Sequence, residues 1–233
     1  PDKEMPTGIC SIPGCNETKV IDLPFKQGNF FKQYVRLTNK KRRTQMKTYK
    51  NDYEYLSKRA SIFDKSSCDM DNKCSLDNKM DWVQRQFNDT DTTLEIGCGT
   101  GIYSALIANN VKNLVATDMS NEMLTIARTK LNQYDNVEIR REDCYAISYE
   151  ENTFDSILIA NLIHIVTDPS SVLKEIRRVL KKDGRVIIVS YTFYGLSFIQ
   201  KIMAIFHYIK NFGLPPSSGK TLSPSNLSKF AED

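Results

Sequence analysis

The chain has 233 residues, 40% of them hydrophobic and 26% charged, with a formal net charge of +4. That length suits one α/β domain with an extension and is short for two independent cores, and the composition is that of an ordinary soluble globular protein. No apolar run reaches the roughly 18–20 residues of a membrane-spanning helix, and mild basicity permits an anionic partner without requiring one.

The six cysteines are Cys10, Cys15, Cys68, Cys74, Cys98 and Cys144. A chain of this size needs no disulfide framework, so reduced thiols in a cytoplasmic enzyme are the expectation. The opening Pro1-Asp2-Lys3-Glu4 does not have a signal-peptide pattern. The pairs Cys10/Cys15 and Cys68/Cys74 lie far apart with no histidine nearby, and the second is too widely spaced for structural zinc, so no metal site is expected.

In chain order, residues 1–45 form an N-terminal extension and residues 46–233 the main domain. Two apolar-alternating runs flank a Gly28-Asn29 turn and predict a β-hairpin over Thr18–Leu37. The basic run Lys40–Arg43 that follows reads as a solvated linker, with contact to nucleic acid, lipid headgroups or an acidic substrate as the alternatives. Tyr49, Tyr53, Leu56, Ala60 and Phe63 recur at helical spacing. Asp69–Lys79 is a polar loop and Met80–Phe87 a short helix.

Alternating strands and helices then predict a mostly parallel sheet flanked by helices. The strands are Thr93–Gly97, Asn113–Asp118, Val137–Arg140, Phe154–Ala160 and Arg185–Tyr191. One helix begins after Gly101 and one after a Ser120 N-cap. A third begins at Asp168-Pro169, with Val172, Leu173, Ile176, Val179 and Leu180 on one face and Asp183-Gly184 as its stop. Beyond the fifth strand, Leu196, Ile199, Ile202, Met203, Phe206 and Ile209 mark an amphipathic helix ended by Gly213, Pro215 and Pro216, and Ser223-Pro224-Ser225 opens a last short one. Packing of the amphipathic helix on the sheet is the default; lidding a pocket or lying against a membrane surface are the alternatives.

Gly97-Cys98-Gly99-Thr100-Gly101 stands between a strand and a helix. Glycines there permit a tight turn and close ligand approach, and the helix start presents free N–H groups. A nicotinamide fingerprint would place a glycine where Ile102 stands, and has no counterpart to Glu95 inside the strand. Glu95-x-Gly97-x-Gly99-x-Gly101 resembles motif I of the class I S-adenosylmethionine-dependent methyltransferases, and the likeness continues across roughly residues 48–192, in the ubiquinone/menaquinone-type branch. The resemblance implies a Rossmann-like sheet, S-adenosyl-L-methionine as cofactor, and methyl transfer to a small-molecule or lipid-like acceptor. An RNA or protein methyltransferase and a non-catalytic cofactor-binding module are the alternatives.

By that resemblance Glu95 helps hold the methionine amino group, and the backbone of Gly97, Cys98, Gly99 and Gly101 lies beneath the methionyl chain. Asp118, with Met119 beside it, ends the second strand about 20 residues beyond the loop, where a carboxylate accepts from ribose hydroxyls. Asp143 and the Cys144 backbone meet adenine, and the Cys144 thiol packs as a small hydrophobe. Asn161 to His164 follow the fourth strand and face the reaction, with Asn161 and His164 as the acceptor-side residues and Asn161 also among those that hold the cofactor. His164 is either a base or orienting group tuned near neutrality, or a half-buried residue packing beside the cofactor. Tyr49, Tyr53 and the helix after Gly195 are candidates to cover the pocket, whereas His207 is read as a surface or groove-lining residue. The absence of Asp/Asn-Pro-Pro-Tyr/Phe counts against methylation of DNA base amines, and nucleic acid is not an expected partner.

The family usually ends in a sixth strand and an antiparallel seventh, and neither stands in the usual place here. Either the hairpin Thr18–Leu37 supplies both, in a permuted chain or by exchange within an oligomer, or it is an unrelated arm.

Overall fold

A computed structural model describes residues 18–22 and 80–191, together with helical positions 198, 199, 202, 205, 206 and 209. The expected second hairpin strand, the basic run Lys40–Arg43, the helix bearing Tyr49 and Tyr53, the loop Asp69–Lys79, His207, the last short helix and the four cysteines before residue 80 lie outside the described residues.

The described elements are β1 (Thr18–Asp22), α1 (residues 80–84), β2 (Thr92–Ile96), α2 (Ile102–Ile107) with a 3-10 turn at Ala108–Asn110, and β3 (Asn113–Asp118). They continue with α3 (Asn121–Leu131), β4 (Val137–Arg141), β5 (Phe154–Ala160), α4 (Pro169–Val179) and β6 (Leu180–Tyr191). The six strands form one sheet in the order β1-β6-β5-β2-β3-β4. β2 through β6 are parallel to their neighbours, while β1 runs antiparallel to β6, from Thr18 opposite Tyr191 to Asp22 opposite Ile187.

The period-2 pleat sorts the strand residues between two apolar layers. Leu94, Ile96, Ile157, Ile159, Val186 and Ile188 meet Val172, Leu173, Ile176 and Val179 of α4 on one face. On the other face, Leu158, Ala160, Ile187 and Val189 pack with Val83, Phe87 and Ile107, and Ala116 packs with Leu124, Ala127 and Leu131 of α3. Burial on both faces explains why these strands read as continuous apolar runs, each large side chain contributing about 1.5–3 kcal/mol.

The helix starts follow from their caps. The Ser120 hydroxyl accepts from the Met123 N–H at 3.2 Å. Asp168 accepts from the Ser171 N–H at 3.3 Å, with Pro169 in the first turn, where its missing N–H costs nothing. The expected stop at Asp183-Gly184 is corrected. α4 ends at Val179, Leu180 is already extended, and β6 begins there. The register against β5 jumps from Phe154–Leu180 to Ser156–Arg185, so Lys181–Gly184 is an irregularity within the strand. A Cβ on Gly184 would stand 2.7 Å from Leu180 Cδ1, so the close approach within the irregularity needs glycine.

β1 lies beside β6 at the edge of the described sheet, in the same chain. Deleting residues 18–22 leaves β6 paired with β5 alone and opens its other edge. Thermal unfolding with light scattering should show a midpoint lowered by at least about 2–4 °C, the scale of a 1 kcal/mol loss, and association that grows with concentration.

Candidate functional site

The chain order reverses at β2, whose neighbours β3 and β5 lie on opposite sides. In an open α/β sheet, ligands bind outside the carboxyl ends of strands at such a switch point. The loop after β2, the end of β3, the turn after β4 and the segment after β5 all emerge at that end.

Gly97, Gly99 and Gly101 have φ of 74°, 55° and 81°, a region that side chains strain to adopt. A Cβ on Gly97 would also come within 2.9 Å of Leu162 Cδ2, so the segment after β5 closes directly over the loop. The Gly97 and Cys98 N–H groups both donate to the Thr117 carbonyl at 2.8 Å. The Asp118 carboxylate completes the arrangement. Its Oδ2 accepts from the Gly99 N–H at 2.9 Å, and its Oδ1 from the Ser120 N–H at 2.8 Å. A carboxylate offers about four lone-pair sites, so these two bonds do not exhaust it.

Glu95 is 1% exposed, on the sheet face that α2 covers, and the Ser104 hydroxyl donates to its Oε2. Burial lifts its carboxyl to about 7 against the opposing pull of the Ser104 hydrogen bond, and the nearby Asp118 charge adds to the rise. Burial raises Asp118 too, opposed by the backbone N–H groups of Ser120, Gly99 and Met119. The Cys98 thiol is held protonated by burial and by both acids, which leaves it no nucleophilic role.

Asn161 follows β5 directly, with φ of 56°. Its N–H donates to the Val189 carbonyl at 2.7 Å, while its side-chain oxygen is buried without a hydrogen-bond partner. An orphaned buried acceptor is costly in a folded protein and marks a place where a donor is wanted. His164 Nδ1 lies 2.9 Å from the Ser190 hydroxyl at the end of β6. Burial lowers this imidazole to about 4, so it is neutral across the physiological range and not tuned near neutrality.

Asp143 turns inward on its own loop, accepting from the Tyr145 N–H at 2.9 Å, and Cys144 is buried in the apolar layer under α4. The Glu142 N–H donates to the Asp118 carbonyl at 3.2 Å, which sets this loop beside the end of β3. The Met119 carbonyl accepts from Arg141 Nε at 3.0 Å across the same gap. Contacts thus link Gly97, Gly99, Asp118, Met119 and the Asp143 loop on one side, and Leu162 ties the Asn161 segment to the loop. Ser104, Leu162 and Ser190 were not anticipated. Ser104, one turn into the helix after the loop, had a local signal; the other two meet the site only through packing.

Residues 94–188 match the methyltransferase-domain family. Among curated relatives, the chain is 33% identical over 99 residues to a demethylmenaquinone methyltransferase of Clavibacter sepedonicus, covering 42% of this chain and 40% of that one. It is 34% identical over 101 residues to a phosphatidylethanolamine N-methyltransferase of Cereibacter sphaeroides, covering 42% and 49%. The chain therefore spans about half the length of the curated relatives it matches. In fold it is similar to the YcgJ protein of Bacillus subtilis, with a TM-score of 0.56, 19% identity and coverage of 66% and 65%. It is likewise similar to a possible histamine N-methyltransferase of Thermotoga maritima, with a TM-score of 0.54, 18% identity and coverage of 77% and 78%.

The matched segment runs from within β2 into β6, and so includes the glycine loop at the switch strand and Asp118. Among the curated relatives that it resembles, demethylmenaquinone methyltransferases recur.

Below about pH 4.5 Glu95 is protonated in both folded and unfolded chains and makes no difference to stability. As pH rises toward 7 the unfolded chain releases this proton while the folded chain retains it, so stability falls through that window and levels off above 7. Urea unfolding from pH 4.5 to 8 should show Glu95→Gln gaining on the parent protein by up to ~3 kcal/mol, with most of the gain made by pH 7.

Proposed function

We propose that this chain binds S-adenosyl-L-methionine at the carboxyl ends of β2 to β5 and transfers its methyl group to a small-molecule or lipid-like acceptor. The observation that carries the reading is the Asp118 carboxylate, fixed by backbone N–H groups at the end of β3 beside the glycine loop. A strand-end carboxylate held in this way suits the hydroxyls of a ribose. The orphaned Asn161 oxygen fits the same ligand, because the methionine ammonium brings the donor it lacks.

In this reading the backbone of Gly97, Cys98, Gly99 and Gly101 underlies the methionyl chain, where a side chain on Gly97 would collide with Leu162. Glu95 acts from behind the loop, its ionised form favoured when a cation arrives in front of it. Met119 borders the ribose, and Asp143 with the Cys144 N–H faces adenine. When bound, the cofactor supplies an electrophilic methyl on a sulfonium, so the protein's work is to align an acceptor and exclude water.

Asn161 and His164 stand on the acceptor side. With its pKa lowered to about 4, His164 is a weak base and serves as a neutral hydrogen-bonding group whose ring is oriented by Ser190. The names of the relatives, demethylmenaquinone and phosphatidylethanolamine methyltransferases, support an acceptor of quinone or phospholipid type. Residues 1–45 are read as the extension whose first strand completes the sheet, and residues 46–233 as the methyltransferase domain.

Incubating the chain with methyl-labelled S-adenosylmethionine and a cell extract should place label in the small-molecule or lipid fraction. Label confined to RNA or protein, or no transfer despite tight cofactor binding, would overturn the acceptor class or the activity. Calorimetry should show Asp118→Ala weakening cofactor binding by about 1.5–3 kcal/mol, the scale of lost charged hydrogen bonds. Unchanged affinity in a folded variant removes Asp118 from the ribose.

A further inference from the structure

Six large apolar residues lie exposed at the described helical positions beyond β6: Phe198 at 77%, Ile199 at 69%, Ile202 at 52%, Ile205 at 46%, Phe206 at 70% and Ile209 at 40%. This corrects the expectation that the stripe packs on the sheet. At about 100° per residue, the six fall in a single stripe about 120° wide. Exposed apolar clusters of this kind mark interaction surfaces.

The charges around the stripe say what covers it. From Val186 to Ala231 the sequence has four lysines, Lys201, Lys210, Lys220 and Lys229, and no acidic residue. An exposed apolar stripe in a segment that carries lysines and no acid suits an anionic lipid boundary, where lysine stems lie along an apolar layer and ammonium groups reach headgroups. A partner protein's groove would have to provide acids matched to particular lysines, whereas an anionic lipid surface supplies them everywhere.

We propose that this helical segment docks the chain on an anionic lipid surface, lying in the interface with the Phe198–Ile209 stripe buried among acyl chains. No helix of the described residues is long and apolar enough to cross a membrane, and the contact proposed is a peripheral one. Phe198 follows the end of β6 by seven residues, and β6 ends on the same side of the sheet as the Gly97 loop, so docking brings the acceptor side near the bilayer. The proposal rests on the stripe and its charges, not on the methyl-transfer reading.

Flotation of the full chain with phosphatidylcholine vesicles, with and without phosphatidylglycerol, tests it. The chain should float with the anionic vesicles, and less so in high salt. Ile202→Glu/Phe206→Glu should reduce binding by roughly tenfold or more, while Lys201→Gln and Lys210→Gln should each weaken it by about fivefold. Phe206→Ala, with its circular-dichroism melt compared with the parent, provides a milder variant, and it should bind less while melting normally. Absence of binding to anionic vesicles, or binding undiminished in the folded Phe206→Ala and Glu variants, overturns the proposal. So does sedimentation showing a dimer that the Glu variants dissociate while the parent ignores lipid, because the stripe would then be covered by a second copy.

Discussion

The site depends on one carboxylate. Asp118 is the last residue of β3, yet each of its oxygens accepts from a backbone N–H outside that strand, one in the loop after β2 and one at the start of α3. Three left-handed glycines make the loop compliant, and a compliant loop needs external anchors to hold one shape. Thr117 supplies two through its carbonyl and Asp118 a third. The strand that carries the acid proposed to face the ribose thus also fixes the shape of the loop, so under that proposal shape and recognition share one residue.

Placing a second acid close by has a cost that the fold accepts. Burial weighs on both Glu95 and Asp118, and the Asp118 charge adds to the burden on Glu95; the Ser104 hydroxyl relieves the one in part and backbone N–H groups the other. Such a pocket is electrostatically incomplete until something positive enters it, and the unpartnered Asn161 oxygen is incomplete in the same sense. The apolar layers on either side make this tolerable: the cost of the polar cluster is set against a continuous hydrophobic sheet core.

Much of this was legible in the chain itself. The inner strands stood out because residues buried on both faces read as unbroken apolar runs, and Asn113–Asp118 and Phe154–Ala160 have the expected bounds. The helix starts were visible in Ser120 and Asp168, whose capping is local chemistry. Asp183-Gly184 misled because the same dipeptide serves a helix stop and a strand irregularity; only pairing with Phe154 and Ser156 decides between them. Leu162 over Gly97 and Ser190 beside His164 depend on which strands become neighbours, which no local pattern encodes. The stripe after residue 195 shows a third case: periodicity reveals an apolar face but not whether the fold covers it.

The ladder between β1 and β6 bears on how the molecule comes into being. Among the described strands Thr18 belongs to the first to leave a ribosome, and its partner Tyr191 to the last. Every other described strand can settle beside neighbours made shortly before or after it, but β1 has to wait, unpaired, until β6 has been made. Its docking is therefore the closing event in assembling the described sheet, gated by a long loop closure. Until then the β6 side of that sheet stays open, and mispairing is most favoured in the interval just after β6 emerges.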